Sequence, residues 1–309
     1  MSLLPLLQTL QQPQVRDLAW VAYAPNLLSA PASKLVAADW FVRRLPELPQ
    51  HLQYWDQHPQ ALLQHLAQHK SHFLGPYFEQ LVLFLLQHMP GIEILAERLQ
   101  VCEQGRTLGE FDLLFRDGVD GQVYHWELAL KYYLGFAGAD AQSLWWGPNA
   151  NDRLDRKAAK LFDEQLRLGE SQQMFLRQHG VNTPLVAQAL VKGCLFQSQQ
   201  ALALPDYAQA APQARWCRVD ALNEFLGCCP AWVRLEKQEW LAPLSSEVLV
   251  RRQQQANLLR TELDTHFANG GKAVMLAGVT PLSDHMAESL RLMVVAHSWP
   301  QTNQKKDKS

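Results

Sequence analysis

Two neighbouring segments, residues 109–115 and 123–132, alternate apolar side chains with other side chains at a period of two. This period is typical of β-strands, because successive side chains of a strand point to opposite faces. In the second segment one face consists only of apolar and aromatic residues, namely Tyr124, Trp126, Leu128, Leu130 and Tyr132. The opposite face carries His125, Glu127, Ala129 and Lys131. We therefore expect a strand that packs one face on a core and holds charge on the other.

The first segment is divided in the same way. Its alternation places Phe111, Leu113 and Phe115 on one face and Glu110, Asp112 and Leu114 on the other. Aspartates and glycines at positions 117–121 predict a turn that pairs the two strands as a hairpin. An acid on one strand, and an acid and a lysine on its neighbour, are then expected to meet at one small site.

The residue types at this expected site suit a metal ion that acts on phosphate. Mg²⁺ prefers oxygen ligands, usually one or two carboxylates with waters and substrate phosphates. A cation held by Asp112 and Glu127 would activate water, and Lys131 would stabilise developing negative charge. The pattern therefore suggests a metal-assisted phosphodiesterase. The ordinary alternative is a strand with one solvated face and a Glu127–Lys131 ion pair, and the two strands taken alone favour it.

A third acid adds weight to the site. Glu79 lies within residues 73–86, which are apolar on nearly every side and predict a buried helix. An acid in such a helix needs a partner or a cleft. The alternative is a narrow exposed stripe that Glu79 shares with Gln80, Gln87 and His88.

Composition and periodicity divide the chain into four parts. Residues 1–72 predict a helical layer, 73–200 a core, 201–300 a C-terminal α/β extension, and 301–309 a disordered polar tail. Helices are predicted at 15–24, 35–45, 73–86, 152–168 and 246–267. Further strands are predicted at 92–102, 184–196, 232–237, 273–279 and 290–295. The core thus has the order helix, three strands, helix, strand.

The overall composition narrows the class of protein. A net charge of −2 gives no global basic field, so binding to nucleic acid would need a local basic cleft. The apolar runs are far shorter than the roughly 20 residues of a membrane span, and the N-terminus does not resemble a secretory signal. Five cysteines without a Cys-x-x-Cys spacing argue against structural zinc. We therefore expect a cytoplasmic protein without membrane contact.

Glu79, Asp112, Glu127 and Lys131, together with the order of the core elements, resemble the PD-(D/E)XK nuclease superfamily over about residues 74–197. The resemblance implies an α/β protein with a restriction-endonuclease-like αβββαβ core. It also implies hydrolysis of nucleic acid with Mg²⁺ or Mn²⁺. Asp112 and Glu127 would hold the metal, Lys131 would stabilise charge, and Glu79 would assist through water.

The chain departs from the superfamily pattern at the lysine. The pattern places lysine two residues after the second acid, where this chain has Ala129. Lys131 lies two residues further, roughly 6.5–7 Å along a strand, and Lys157 on the next predicted helix is a second candidate. The alternative function is an inactive nuclease-fold protein that binds nucleic acid or a protein partner, because a fold does not determine activity.

A second resemblance, to a bacterial family known only as domain of unknown function 1853, extends over nearly the whole chain and implies no activity. It is carried by residues 15–20, 74–79, 126–131, 147–149, 192–196 and 298–300.

Two further features near the expected site each have two interpretations. Trp145 and Trp146 would stack on bases or, more commonly, fill a core. The basic residues Arg153, Arg156, Lys157, Lys160 and Arg167 would follow a phosphate backbone or, with interleaved acids, form an ion-paired helix face. The second interpretation is favoured in both cases.

Overall fold

The computed structural model describes residues 3–68, 73–138 and 143–300. The strands in these ranges are β1 (Ile92–Glu103), β2 (Arg106–Asp117), β3 (Val123–Ala137), β4 (Ser143–Trp146), β5 (Leu185–Gln197), β6 (Gln213–Arg218), β7 (Ala231–Leu235), β8 (Val274–Pro281) and β9 (Met286–Val295). The helices are α1 (Leu3–Thr9), α2 (Pro13–Tyr23), α3 (Trp40–Arg44), α4 (Leu48–Gln57), α5 (Gln60–Gln68), α6 (Leu74–Gln87), α7 (Leu154–Asp163), α8 (Leu168–Ser171), α9 (Gln173–Gln178), α10 (Asn223–Leu226), α11 (Ser246–Arg252) and α12 (Ala256–Ala268).

One mixed sheet contains all of these strands. Its order is β1-β2-β3-β5-β6-β9-β8-β7, and β4 pairs with the end of β3. The strands at both ends run antiparallel, while β3, β5, β6 and β9 run parallel in the middle. The central strands are largely buried, as expected where helices cover both faces of a parallel region.

The N-terminal helices cover one face of β2 and β3. Leu113, Trp126 and Leu128 lie in the same apolar cluster as residues of α1, α2, α4 and α6. The Trp126 ring is fully buried, and its centroid lies 4.8 Å from that of Trp40. The predicted apolar face of the second strand is therefore confirmed. The opposite face packs Ala129 and others against α7 and the segment that follows it.

The predicted order of the core elements is present. It consists of α6, β1, β2, β3, α7 and β5. Between β3 and α7 lies β4, a four-residue strand that no periodicity in the sequence predicts, and β6 is also absent from the predictions. The fold class is confirmed as a mixed α/β architecture with a large central sheet.

The predicted helix at 246–267 is helical over Ser246–Arg252 and Ala256–Ala268, but its predicted continuity is wrong, because it is interrupted at residues 253–255. The backbone of Gln254 exchanges two hydrogen bonds with Trp232 of β7, with N–O distances of 2.8 and 3.0 Å. A tertiary strand contact therefore overrides a continuous helical pattern.

The predicted helix at 35–45 is also wrong, since only Trp40–Arg44 is helical. The residues before it follow β5, where the Val36 N–H donates to the Ala189 carbonyl at 3.0 Å.

The predicted helix at 152–168 is too long. It ends at Asp163, and Glu164, with φ −120° and ψ −64°, separates it from a 3-10 helix at Gln165–Arg167. Its N-cap is Arg153. This break is important for the site because it sets Gln165 apart from the preceding helix.

The loop at residues 240–244 joins distant parts of the chain. Arg16 of α2 donates to the Pro243 carbonyl at 2.8 Å, and the Asp17 carboxylate accepts from the Ala242 N–H at 3.0 Å. Arg291 of β9 donates to the carbonyls of residues 240–242. Hydrogen bonds thus connect both the N-terminal helical layer and the C-terminal strands to the same loop.

The domain boundaries at 72 and 200 stay predictions, and the sheet continues from β5 into β6 across the second. The predicted disordered tail, 301–309, lies outside the described residues. Within residues 3–68, 73–138 and 143–300, no helix combines the length and the apolar character needed to cross a lipid bilayer.

Candidate active site

The ladder between β2 and β3 opens next to two acids. Its last regular pair is Leu113 opposite Trp126, and continuing that register places Asp112 opposite Glu127. The Asp112 carboxylate accepts a hydrogen bond from the Leu128 backbone N–H at 2.8 Å. A side chain thus takes the place of a ladder carbonyl at this point, and the two acids belong to adjacent strands as predicted.

Asp112 also interrupts the alternation of β2. Leu113 faces the N-terminal helices as predicted, but Phe111 lies with Leu114 in the cluster on the opposite face. The predicted placement of Phe111 beside Leu113 is therefore wrong. Opposite Asp112 on β1, Arg98 has a left-handed φ of 49°. Such a local irregularity in a ladder turns neighbouring side chains.

Glu127 is held by both of its carboxylate oxygens. The side chain of Glu127 is buried, with 1 % of the residue exposed. Nε2 of His125 lies 3.0 Å from Oε1, and the Gln165 amide donates to Oε2. His125 is fully buried and packs edge-on against Phe111, with ring centroids 4.8 Å apart. The carboxylate orientation is thus fixed from two sides.

Lys157 is linked to Glu127 through Gln165. The Lys157 ammonium donates to Gln165 Oε1 at 2.8 Å. Burial lowers the pKa of Lys157, and Lys131 lowers it further, while Glu127 and Asp112 raise it. The ammonium therefore lies within the electrostatic field of both acids.

Lys131 lies on the predicted face but forms a different contact. Its ammonium lies 2.7 Å from Asp152 Oδ2, and the Tyr133 hydroxyl donates to the same oxygen at 3.2 Å. The side chains of this ion pair are each about one third exposed, at 35% and 32%. Of the two candidate lysines, Lys157 is the one connected to Glu127.

Glu79 on α6 is the third acid of the site, and it interacts electrostatically with Asp112 and Glu127. Burial raises the pKa of Glu79, Arg98 lowers it, and Glu110 and Glu127 raise it. The alternative of an exposed stripe is wrong at Gln80, which is 6 % exposed, although Gln87 and His88 are exposed. Glu79 is therefore a half-buried acid near the carboxylates of the two strands.

Asp112 has the most perturbed carboxyl of the site. Burial raises the pKa of Asp112, and Glu127 and Glu79 raise it further, whereas the Leu128 N–H and Lys157 lower it. An acid that burial and neighbouring carboxylates disfavour as an anion is stabilised by a cation.

The oxygen donors of Asp112 and Glu127 fit a hard divalent ion such as Mg²⁺ or Mn²⁺, which also takes water and phosphate ligands. In the ranges that the structure describes, no group of three or more His, Cys, Asp or Glu is arranged to hold a metal ion.

Gln165 is a site residue that no pattern in the sequence predicts, because the predicted helix at 152–168 runs through it without a break. The period of two correctly predicts that His125 lies on the same face of the strand as Glu127, but it gives no role for His125. The basic stripe is partly ion-paired, as favoured. Arg153 pairs with Asp155 at 2.5 Å and Arg167 with Glu170 at 3.1 Å.

The DUF1853 family model, described as a domain of unknown function, matches residues 16–295 of this chain. The expected resemblance to that family is thus confirmed. No curated protein and no solved structure matches the chain. The resemblance to PD-(D/E)XK nucleases stays a prediction.

Proposed function

We propose that this chain, which belongs to the DUF1853 family, is a divalent-metal-dependent nuclease of the PD-(D/E)XK type. The observation that carries the proposal is the opening of the β2–β3 ladder, where Asp112 and Glu127 meet on adjacent strands. Lys157 reaches the same place through Gln165. The substrate would be a phosphodiester of nucleic acid.

Each residue has a distinct part in this proposal. Asp112 and Glu127 would hold Mg²⁺ or Mn²⁺. When bound, the cation supplies Lewis-acid polarisation of the phosphate and a lowered pKa of water. Lys157 would stabilise negative charge that develops on the phosphate. Glu79 would orient a water molecule.

Lys157 takes the part of the lysine that the superfamily pattern expects at position 129. Ala129 is 8 % exposed and packs in an apolar cluster, so this position cannot carry an ammonium without disrupting the core. The other nearby lysine, Lys131, is engaged with Asp152. A lysine from the following helix then supplies the charge that β3 lacks.

The first prediction concerns the two metal-binding carboxylates. We expect Asp112→Asn and Glu127→Gln each to lower Mg²⁺- or Mn²⁺-dependent cleavage of labelled DNA or RNA by about a hundredfold or more, because each removes a charged metal ligand. Asp112→Asn keeps an acceptor for the Leu128 N–H, and Glu127→Gln keeps one of the two oxygens that hold Glu127. Circular dichroism checks that each variant retains the fold. Asp264→Asn is the matched control, because Asp264 lies on the exposed surface of α12 and, among the described residues, pairs with Arg260 alone.

Calorimetric titration with Mn²⁺ separates the proposal from its alternative. The absence of Mn²⁺ uptake that depends on Asp112 and Glu127 would support an inactive nuclease-fold binding protein, because a degenerate site does not hold the ion. Cleavage that is unchanged in both variants would remove the catalytic assignment.

A further inference from the structure

We propose that a pocket of about 230 Å³, linked to Glu127 through Lys157 and Gln165, binds a phosphate of a single nucleic-acid strand, next to the phosphate that is cut. Its wall contains the Trp146 ring and four cationic side chains, Arg153, Arg156, Lys157 and Lys160. The identity of the strand as substrate rests on the proposed function, whereas the anion site rests on the geometry of this pocket.

The four cations follow the pitch of one helix. Positions 153, 156, 157 and 160 are spaced i, i+3, i+4 and i+7, which places them on one face of α7 and its N-cap. One helical face therefore concentrates four positive charges at the mouth of one pocket.

Nearby acids neutralise only part of this charge. Asp155 pairs with Arg153, and Asp152, which also lines the pocket, pairs with Lys131. Lys157 contacts the neutral Gln165. Among the described residues no side-chain hydrogen bond or ion pair is formed by Arg156 or Lys160, and both are exposed. The pocket therefore has unpaired positive charge, which favours an anionic ligand.

The aromatic wall fits a nucleotide chain better than a free anion. Trp145 is buried in the core at 4 % exposure, but its neighbour Trp146 is half-buried and faces the pocket. The Arg153 guanidinium lies 5.4 Å from the Trp146 ring centroid. A ring for stacking beside cations for phosphates is the usual arrangement for binding single strands.

Lys157 connects this pocket to the acids. It lines the pocket and also donates to Gln165, which contacts Glu127. A strand with one phosphate among the cations would therefore lead its neighbouring phosphate towards Asp112 and Glu127. The pocket sets the direction from which the strand enters.

Binding is tested without cleavage, by fluorescence anisotropy of a labelled single-stranded oligonucleotide in EDTA. We expect Arg156→Ala with Lys160→Ala to weaken binding by about tenfold or more at low salt, because two of the four cations around the bound phosphate are lost. The slope of log K against log salt should become shallower by up to about 0.7, since the pocket neutralises one phosphate and each neutralised phosphate of a single strand contributes about 0.7. Arg251→Ala with Lys272→Ala removes the same charge from exposed positions of the C-terminal part, and should bind like the wild type.

The aromatic contribution is tested at Trp146. Trp146→Leu should weaken binding severalfold, and Trp146→Phe should restore most of it, because stacking needs a ring rather than indole. Equal affinity of the wild type and the Arg156/Lys160 double variant would overturn the proposal. So would binding of a phosphoserine peptide of equal charge without binding of the oligonucleotide.

The outcomes also separate the two proposals. If the oligonucleotide binds through Arg156 and Lys160 but is not cleaved with metal, the phosphate pocket is supported and the nuclease function is rejected. If the protein cleaves nucleic acid but its affinity does not depend on Arg156 and Lys160, the nuclease function is supported and the phosphate pocket is rejected.

Discussion

At the scale of single residues, the candidate site depends on how Glu127 is held. A buried carboxylate with two fixed oxygens presents its lone pairs in a defined direction, as metal ligands with outer hydrogen-bond partners do. His125 and Gln165 provide these partners. His125 could be placed from the sequence by alternation, but Gln165 could not, because its position depends on a helix break at Glu164.

Gln165→Ala tests this arrangement as a positioning role. We expect cleavage to fall by about 10–100-fold, mostly in kcat with little change in KM, because the loss of an outer partner disturbs the ligand rather than substrate binding. Gln165→Glu should not rescue activity, since a second carboxylate would repel Glu127. Gln173→Ala, at an exposed position of α9, is the control. A change in KM alone would show that Gln165 contacts substrate instead.

At the scale of elements, the pairing of β3 with β5 fixes the positions of the site residues on β3, Glu127 and Lys131. Gly193 of β5 lies opposite Lys131, with a φ of +141°. A Cβ at this position would overlap the Lys131 carbonyl oxygen. Glycine therefore permits a close approach of two strand backbones, two pleats beyond Glu127.

Gly193→Ala is expected to lower the free energy of unfolding by about 2–4 kcal/mol, through backbone strain and steric overlap. Urea denaturation measures this change. Gly227→Ala is the matched control, because Gly227 has φ −72° and open space around its Cα, and should alter stability by less than about 1 kcal/mol. Similar losses in both variants would contradict the close approach.

Elements were predictable where local periodicity and tertiary packing agree. The segments 109–115 and 123–132 follow a period of two and residues 73–86 form one long apolar run, and the structure contains a strand or a helix at each. The continuous helix predicted at 246–267 does not form, because the backbone of Gln254 makes hydrogen bonds with β7. The strand β4 could not be predicted, because four residues are too few to show a periodic pattern. For the same reason, the placement of Asp112 and Glu127 on adjacent strands could be predicted from the sequence, whereas the contacts of Lys131 with Asp152 and of Lys157 with Gln165 could not.

At the scale of the whole molecule, Asp17 links the helical layer to the C-terminal part. Its carboxylate accepts from the Ala242 N–H and from the Tyr77 hydroxyl at 2.7 Å. Burial raises the pKa of Asp17 to about 7, although these hydrogen bonds and Arg291 lower it. No local pattern reveals this contact, because Asp17 and Ala242 are 225 residues apart.

The raised pKa predicts the sign of a pH effect. Between pH 3.8 and about 7 the folded Asp17 holds more proton than the unfolded one, so its contribution makes the protein less stable as pH rises through this window. Asp17→Asn removes the titrating carboxyl and its pH-dependent contribution to stability, and it keeps an acceptor for the Ala242 N–H. We expect the stability difference between variant and wild type to shift in favour of the variant by about 3 kcal/mol from pH 4 to pH 8, measured by urea denaturation. If the stability of the variant and that of the wild type changed with pH in parallel, the raised pKa of Asp17 would be contradicted.

The opening in the β2–β3 ladder has a further consequence. Both acids are carried by β2 and β3, strands inside the sheet, rather than by loops that can rearrange. Under the proposed nuclease function, a site built on paired strands has little freedom to adapt its shape, so the nucleic acid would have to bend. Frayed ends, gaps and unpaired tracts can supply that pliancy more cheaply than an intact duplex.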